Sequence, residues 1–233
     1  MKDIKKQITI TNKTRVLVIM PHPDDEAVFA AGLINHFSKS GARVNLVCMT
    51  NGEKSTHRYG ITKKQHLGDI RKKELEQASR IMGVHTLVCA NFPDGKLFDK
   101  HKDVSKFIVD DIIEYRPDII LTLEPDGIYG HPDHITLSRI IGVINESQKI
   151  PFTLIYATVP SGFQPSEGAR KMANDDDINP LTPTHKLDLS MKQQYIKHHA
   201  CMAHYTQLGE NDSFWSLWGK SGLLEHEYFA LAQ

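Results

Sequence analysis

Five short apolar runs, separated by longer segments of mixed polarity, set the tightest limit on how this chain folds. They are "RVLVIM" (15–20), "RVNLVCM" (43–49), "TLVCA" (86–90), "DIILTL" (118–123) and "FTLIYAT" (152–158). Each has the length of a strand, and every gap between them exceeds twenty residues, room for a crossover helix joining parallel neighbours. The pattern predicts repeated βαβ units and an α/β fold around a mostly parallel sheet. Between the runs, Ala27, Ala30, Ala31, Ile34 and Phe37 share one helical face, with Gly41 placed as a C-cap. Leu75, Ala78 and Met82 predict a second helix ending at Gly83, Ile108, Ile112 and Tyr115 a third ending before Pro117, and Leu137, Ile140, Ile141 and Ile144 a fourth. A last helix is expected over about 190–207, followed by the closing segment "HEYFALA". The stretch 160–185 is rich in Pro, Gly, Asn and Asp without a periodic apolar face; it reads as a long loop at the substrate mouth. No repeat or change of composition divides the chain, so residues 1–233 are expected to form one domain.

Charge excludes several classes of partner. Twenty-eight basic and 28 acidic side chains cancel, leaving no footprint for nucleic acid or an anionic membrane surface. No apolar run approaches the length of a bilayer span, and the lysines of "MKDIKKQITITNK" precede no apolar segment, so neither membrane insertion nor secretion is expected and the location reads as cytoplasmic. Cys48, Cys89 and Cys201 are an odd, widely spaced set; they read as buried reduced thiols, neither a disulfide framework nor a metal clip. Assembly into a homo-oligomer is compatible with this composition but not specified by it.

The chemistry gathers behind two strands. "PHPDDEAV" follows the first run and "EPDGIYGHPDH" the fourth, and open α/β sheets bind ligands beyond the carboxyl ends of their strands. His22, Asp25 and His134 would supply two imidazoles and a carboxylate, a set suited to zinc with positions left for water. Asp24, free of the ion, is the candidate general base. His131 could stabilise an oxyanion and protonate a leaving group, with Asp133 orienting its ring, and Glu26 is left for the helix dipole. The same ligand set describes mononuclear iron oxygenases, although those are usually built on β barrels rather than alternating strands and helices. A nucleotide-binding module is the other rival; the first strand, however, leads into acids where that module needs G-x-G-x-x-G.

"HPDDE" and "YGHPDH" closely resemble the PIG-L/LmbE family of metal-dependent N-deacetylases, which hydrolyse N-acetylglucosamine-type amides. The resemblance continues through "TNGE" (50–53), "RKKELEQASRIMGV" (71–84), "FPDG" (92–95) and "KHHACMAHYTQ" (197–207). It implies a three-layer Rossmann-like fold and a small-molecule amino-sugar substrate. It also implies zinc, or iron or another divalent metal, on His22, Asp25 and His134, with Asp24 as the base. By the same resemblance His131 acts on the oxyanion and leaving amine, Tyr129 closes over the oxyanion, and Arg71 and Asp94 hydrogen-bond sugar hydroxyls. This chain has Ala31-Gly32-Leu33 where many members carry Gly-Gly-Thr, and 160–185 matches no family pattern. The substrate therefore stays open, including an amidase reading with another acyl or peptide-like bond.

Plainer readings accompany several of these residues. Arg71 and Glu74 are spaced for an intrahelical ion pair, Asp94 before Gly95 suits a turn, and Thr50 to Glu53 fit a turn as well as a site wall. His198, His199 and His204 contain no i,i+4 pair and read as structural, with His204 bordering the pocket through its "H-x-Thr-Gln" context. "NDDDIN" (174–179) lacks the spacing of an EF-hand and reads as solvated loop. Trp215 and Trp218, three apart, read as core or subunit packing.

Overall fold

The computed structural model describes residues 1–147, 149–165 and 178–232. Eight strands form one sheet: β1 (Lys2–Asp3), β2 (Arg15–Met20), β3 (Arg43–Thr50), β4 (Thr86–Phe92), β5 (Ile119–Leu123), β6 (Thr153–Thr158), β7 (His185–Asp188) and β8 (His226–Leu231). Their order is β1-β7-β8-β6-β5-β2-β3-β4. All neighbours are parallel except β8, which runs antiparallel to both β6 and β7. The five predicted strands are all present; β3 runs one residue further and β4 two, the extension crossing a register shift between Cys48 and Thr50. Part of the excursion expected over 160–185 lies outside the described residues, as does most of "NDDDIN".

The helices are α1 (Asp25–Lys39), α2 (Leu67–Met82), α3 (His101–Tyr115), α4 (Gly127–Gly130), α5 (Pro132–Glu146), α6 (Met191–Ala203), α7 (Tyr205–Leu208) and α8 (Asp212–Ser221). Alternation along the strands sorts them into two layers. Val16, Val18 and Met20 of β2 pack with Phe37 of α1, Leu75 of α2, Ala200 of α6 and Trp218 of α8. Leu17 and Ile19, on the other face, pack with Ile108 of α3 and Ile141 of α5. Trp218 is thus core, and the Trp215 indole N–H donates to Leu208 O at 2.8 Å. Gly83 ends α2 with φ 84°, as predicted, whereas α1 is capped by Ser40 with Gly41 following at φ 94°. The last helix is not continuous: it breaks at His204, with φ −83° and ψ 50°.

The order reverses beside β2, which lies between β3 and β5. The segments after β2 and β5 therefore emerge side by side at a topological switch point.

One buried ion pair ties α6 and β8, from the last part of the chain, to α1. Lys197 and Glu227 are inaccessible and 2.9 Å apart, and Glu227 also accepts from the Gly32 and Leu33 amides at 2.8 and 2.9 Å. A Cβ at Gly32 would meet Leu189 Cδ2 at 2.2 Å and both Glu227 oxygens at 3.2 Å, so with a larger residue here these side chains would have to shift from α1. Lys197 also lies over the Trp218 ring, 4.9 Å from its centroid. Replacing Lys197 with methionine strands a buried carboxylate and is expected to cost about 3–5 kcal/mol. In a chain of this size that lowers the thermal midpoint by roughly 6–20 °C; calorimetry showing a shift under about 2 °C would contradict the pair's role.

Candidate active site

The turn from β2 into α1 carries the first half of the site. Pro21 O accepts from both the amide and the hydroxyl of Thr50, each at 3.0 Å, pinning the turn to the end of β3. Asp24 occupies the N-cap position with φ 110° and ψ −30°, a left-handed conformation uncommon outside glycine. Its side chain makes no capping hydrogen bond, so this carboxylate is not spent on the helix. Asp25 opens α1 and accepts from the His22 amide at 3.1 Å.

The loop after β5 carries the second half. Glu124 is buried, and its carboxylate accepts from the amides of Ile128, Asp126 and Leu181, the last two at 3.1 Å. That grip holds Ile128 at φ 67° and ψ −53°, a strained conformation for a β-branched residue. Tyr129 follows, its ring edge-on to His131 and His134 at 6.2 and 5.2 Å. Burial pushes its phenol upward, so it stays a hydroxyl donor. His131 is the N-cap of α5; its Nδ1 accepts from the Asp133 amide at 3.2 Å, which leaves Nε2 to carry the proton. Burial, then the neighbouring His22, lowers its pKa to about 4.

Across the switch point the two halves meet. His22 Nδ1 and His134 Nε2 are 3.1 Å apart, and Asp25 Oδ2 lies 3.4 Å from each. A tetrahedral zinc with Zn–N near 2.05 Å spaces its ligand atoms by about 3.3 Å, so the triangle has the dimensions of such a coordination face. Both rings are oriented from behind: His134 Nδ1 faces Gly127 O at 3.2 Å, and His22 Nε2 faces Asp94 Oδ1 at 3.2 Å and Asp133 Oδ2 at 3.3 Å. Partners of this kind fix the tautomer of metal-binding histidines. Burial opposes charge on the Asp25 carboxyl, yet His134 and His22 hold it down to about 2. Burial would also lower His22, but Asp133, Asp25 and Asp94 raise it well above its ordinary value. Three carboxylates converging on one imidazole are an electrostatic demand for a cation, and the donor set fits a divalent metal. His131 shares the neighbourhood: ligand atoms of His22, His131 and His134 lie within 4.8 Å of one another.

Three predicted residues have defined partners within the chain, and for Asp133 the partner is not the expected one. The Asp133 carboxylate accepts from the Gly95 and Leu97 amides at 2.7 and 3.0 Å and faces His22; its contact with His131 runs through its backbone amide, not its carboxylate. Arg71 is buried and turned inward, donating to Asp24 Oδ2 at 3.0 Å, to Gly52 O at 2.7 Å and to Pro23 O. It forms no pair with Glu74, which instead accepts from the amide and hydroxyl of Thr206 at 2.8 and 2.7 Å. Asp94 accepts from the Lys54 amide at 2.9 Å through the oxygen that His22 leaves free. Within the chain, Arg71 and Asp94 thus brace Asp24 and His22. Burial, with Asp25 and Glu26 nearby, raises Asp24 to about 7 against the pull of Arg71 and His204.

Sequence reasoning passed over Glu124 and the partners of Glu26. Glu26 stands in the first turn of α1, as expected, but is fully buried and also accepts from His204 Nε2 at 2.6 Å and from the Asp24 amide at 3.1 Å, so it braces the turn as well. The signal for that pairing was the "H-x-Thr-Gln" context of His204. For Glu124 the signal was its position, immediately after a strand that leads into the site.

Comparison with known proteins follows the same lines. The family model for GlcNAc-PI de-N-acetylase, PIG-L, matches residues 17–144, more than half of the chain. A Bacillus anthracis protein described as a probable N-acetyl-alpha-D-glucosaminyl L-malate deacetylase 2 is 27% identical over 199 residues, covering 84% of this chain and 82% of its own. The N,N'-diacetylchitobiose deacetylase of Pyrococcus horikoshii superposes with a TM-score of 0.64 at 25% identity, covering 94% of this chain and 84% of that one. An A40926 pseudoaglycone deacetylase shares the fold, with a TM-score of 0.71 at 18% identity over 94% of this chain and 95% of that one. The motifs after β2 and β5, the sheet that brings them together and the family match agree: this chain belongs to the PIG-L family.

Proposed function

We propose that this protein is a zinc-dependent hydrolase that removes the acetyl group from an N-acetylated amino sugar or its conjugate, with the ion held by His22, Asp25 and His134. The observation that carries the reading is the triangle of 3.1 and 3.4 Å between these three donors beside a carboxylate, Asp24, that neither caps a helix nor belongs to the triangle. When bound, the ion would polarise the amide carbonyl and bring the pKa of a water toward neutrality. Asp24 takes the proton from the attacking water, with Arg71 holding its Oδ2. Tyr129 O–H and His131 Nε2–H, the donors left over once their rings are fixed, face the charge that develops on the carbonyl oxygen. The proton that Asp24 took then passes to the amide nitrogen as the C–N bond breaks, releasing the amine and acetate, while His131 donates its Nε2–H to the oxyanion. Relatives named for acetylated glucosaminyl conjugates and for diacetylchitobiose support the amino-sugar class. Three free thiols support a reducing, cytoplasmic setting, and among the described residues no helix is long and apolar enough to cross a membrane.

The test is acetate release from N-acetylglucosamine, its malate and inositol conjugates, and chitooligosaccharides, under nitrogen, before and after chelation and after zinc is restored. Activity on at least one substrate, lost on chelation and recovered with zinc, is expected. Acetate release that survives exhaustive chelation, or turnover that consumes oxygen, would overturn the proposal.

A further inference from the structure

Asp24 is held in an uncommon backbone conformation from two sides, and only one of them is the arginine. On the other, the Asp24 amide donates to Glu26 Oε2 at 3.1 Å, and Glu26 Oε1 accepts from His204 Nε2 at 2.6 Å, both side chains being fully buried. A carboxylate with no access to water keeps its place through its partners. Among the described residues His204 Nδ1 has no hydrogen-bond partner, so the polar contact of this ring is the one with Glu26.

The helix break explains how the ring comes to be there. His204 still accepts at its carbonyl from the Gln207 and Leu208 amides at 3.0 and 2.9 Å, but its own φ and ψ leave the helical region. The residues after it are fastened down: Thr206 on Glu74 of α2, and Gln207 on Ser55 Oγ at 2.5 Å and His57 O at 3.0 Å. A segment 178 residues away in sequence is thereby locked over the first turn of α1.

We infer that His204, acting through Glu26, is a positioning residue for Asp24: the ring fixes the Glu26 carboxylate, which fixes the Asp24 amide and with it the direction of the Asp24 side chain. This rests on the reading of Asp24 as proton acceptor, and the ion's ligands do not enter the relay.

Two substitutions that leave a polar group in place separate this role from packing. Glutamine at 204 carries a donor where Nε2 stands, whereas asparagine falls short of Glu26. His204→Asn is expected to lower kcat by about 5- to 150-fold, the range of releasing one strained residue, with KM and metal content per chain unchanged. His204→Gln recovers most of that loss, and exchange of the Asp24 amide, followed by NMR, speeds up in the asparagine variant alone. In an Asp24→Asn background, where no base remains to be positioned, His204→Asn lowers kcat no further. Equal kcat in the asparagine and glutamine variants, or a fall explained wholly by lost metal or lost fold, would overturn the relay. If Asp24→Asn itself keeps full activity, it is the reading of the base that fails.

Discussion

Asp24→Ala is expected to reduce kcat by about 10²- to 10⁴-fold, the usual contribution of a positioned general base, while the protein still binds one metal ion per chain. The geometry separates the two functions within four residues. Asp25 faces His22 and His134 at 3.4 Å, whereas Asp24 faces Arg71 at 3.0 Å. Removing the Asp24 carboxylate leaves the triangle untouched. Arg71 keeps its contacts with Gly52 O and Pro23 O, so the turn retains much of its support. Steady-state acetate release beside elemental analysis of the purified variant checks both halves of the statement. Loss of metal along with activity would mean that Asp24 is a ligand and not the base.

His134→Ala is expected to do the opposite, abolishing tight metal binding and activity together. Disturbing a partner behind a ligand typically costs about 10–100-fold in metal affinity, and deleting the ligand itself must cost more. His134 is fully buried with its Nδ1 tied to Gly127 O at 3.2 Å. Zinc titration against a competing chelator measures the loss, with Asp133→Asn as an intermediate case because its carboxylate stands behind His22. An alanine variant that binds zinc as tightly as the parent protein would remove His134 from the ligand set.

The fold was legible because period and length agree: the apolar runs that became β2, β3, β5 and β6 are mostly buried, the run that became the edge strand β4 is half-buried, and Gly83 sits where a left-handed cap is needed. β7, β8 and the break at His204 were not legible as such. β8 alternates too weakly to declare itself a strand, and its antiparallel place between β6 and β7 is set by pairing over long sequence distances. In the site, the His-Pro-Asp elements announced themselves by position after strands. What could not be read was direction. Arg71 and Glu74 are spaced as a helical pair, yet one turns toward Asp24 and the other toward Thr206. Asp133 sits next to one histidine in the motif and serves another from the opposite strand end. Spacing identifies neighbours along an element, while burial decides which neighbour across the core claims the charge.

Glu227 gives the order of synthesis a consequence for assembly. The Gly32 and Leu33 amides receive a partner that lies 195 residues from Gly32 in the chain. At translation speeds of about 5–20 residues per second, that partner emerges roughly 10–40 s after the helix it joins. Until then the free side of β6, with Ile155 and Ala157, is an open sheet edge. A nascent chain in this state can pair with any extended segment it meets, and arrival of residues 226–231 closes that edge.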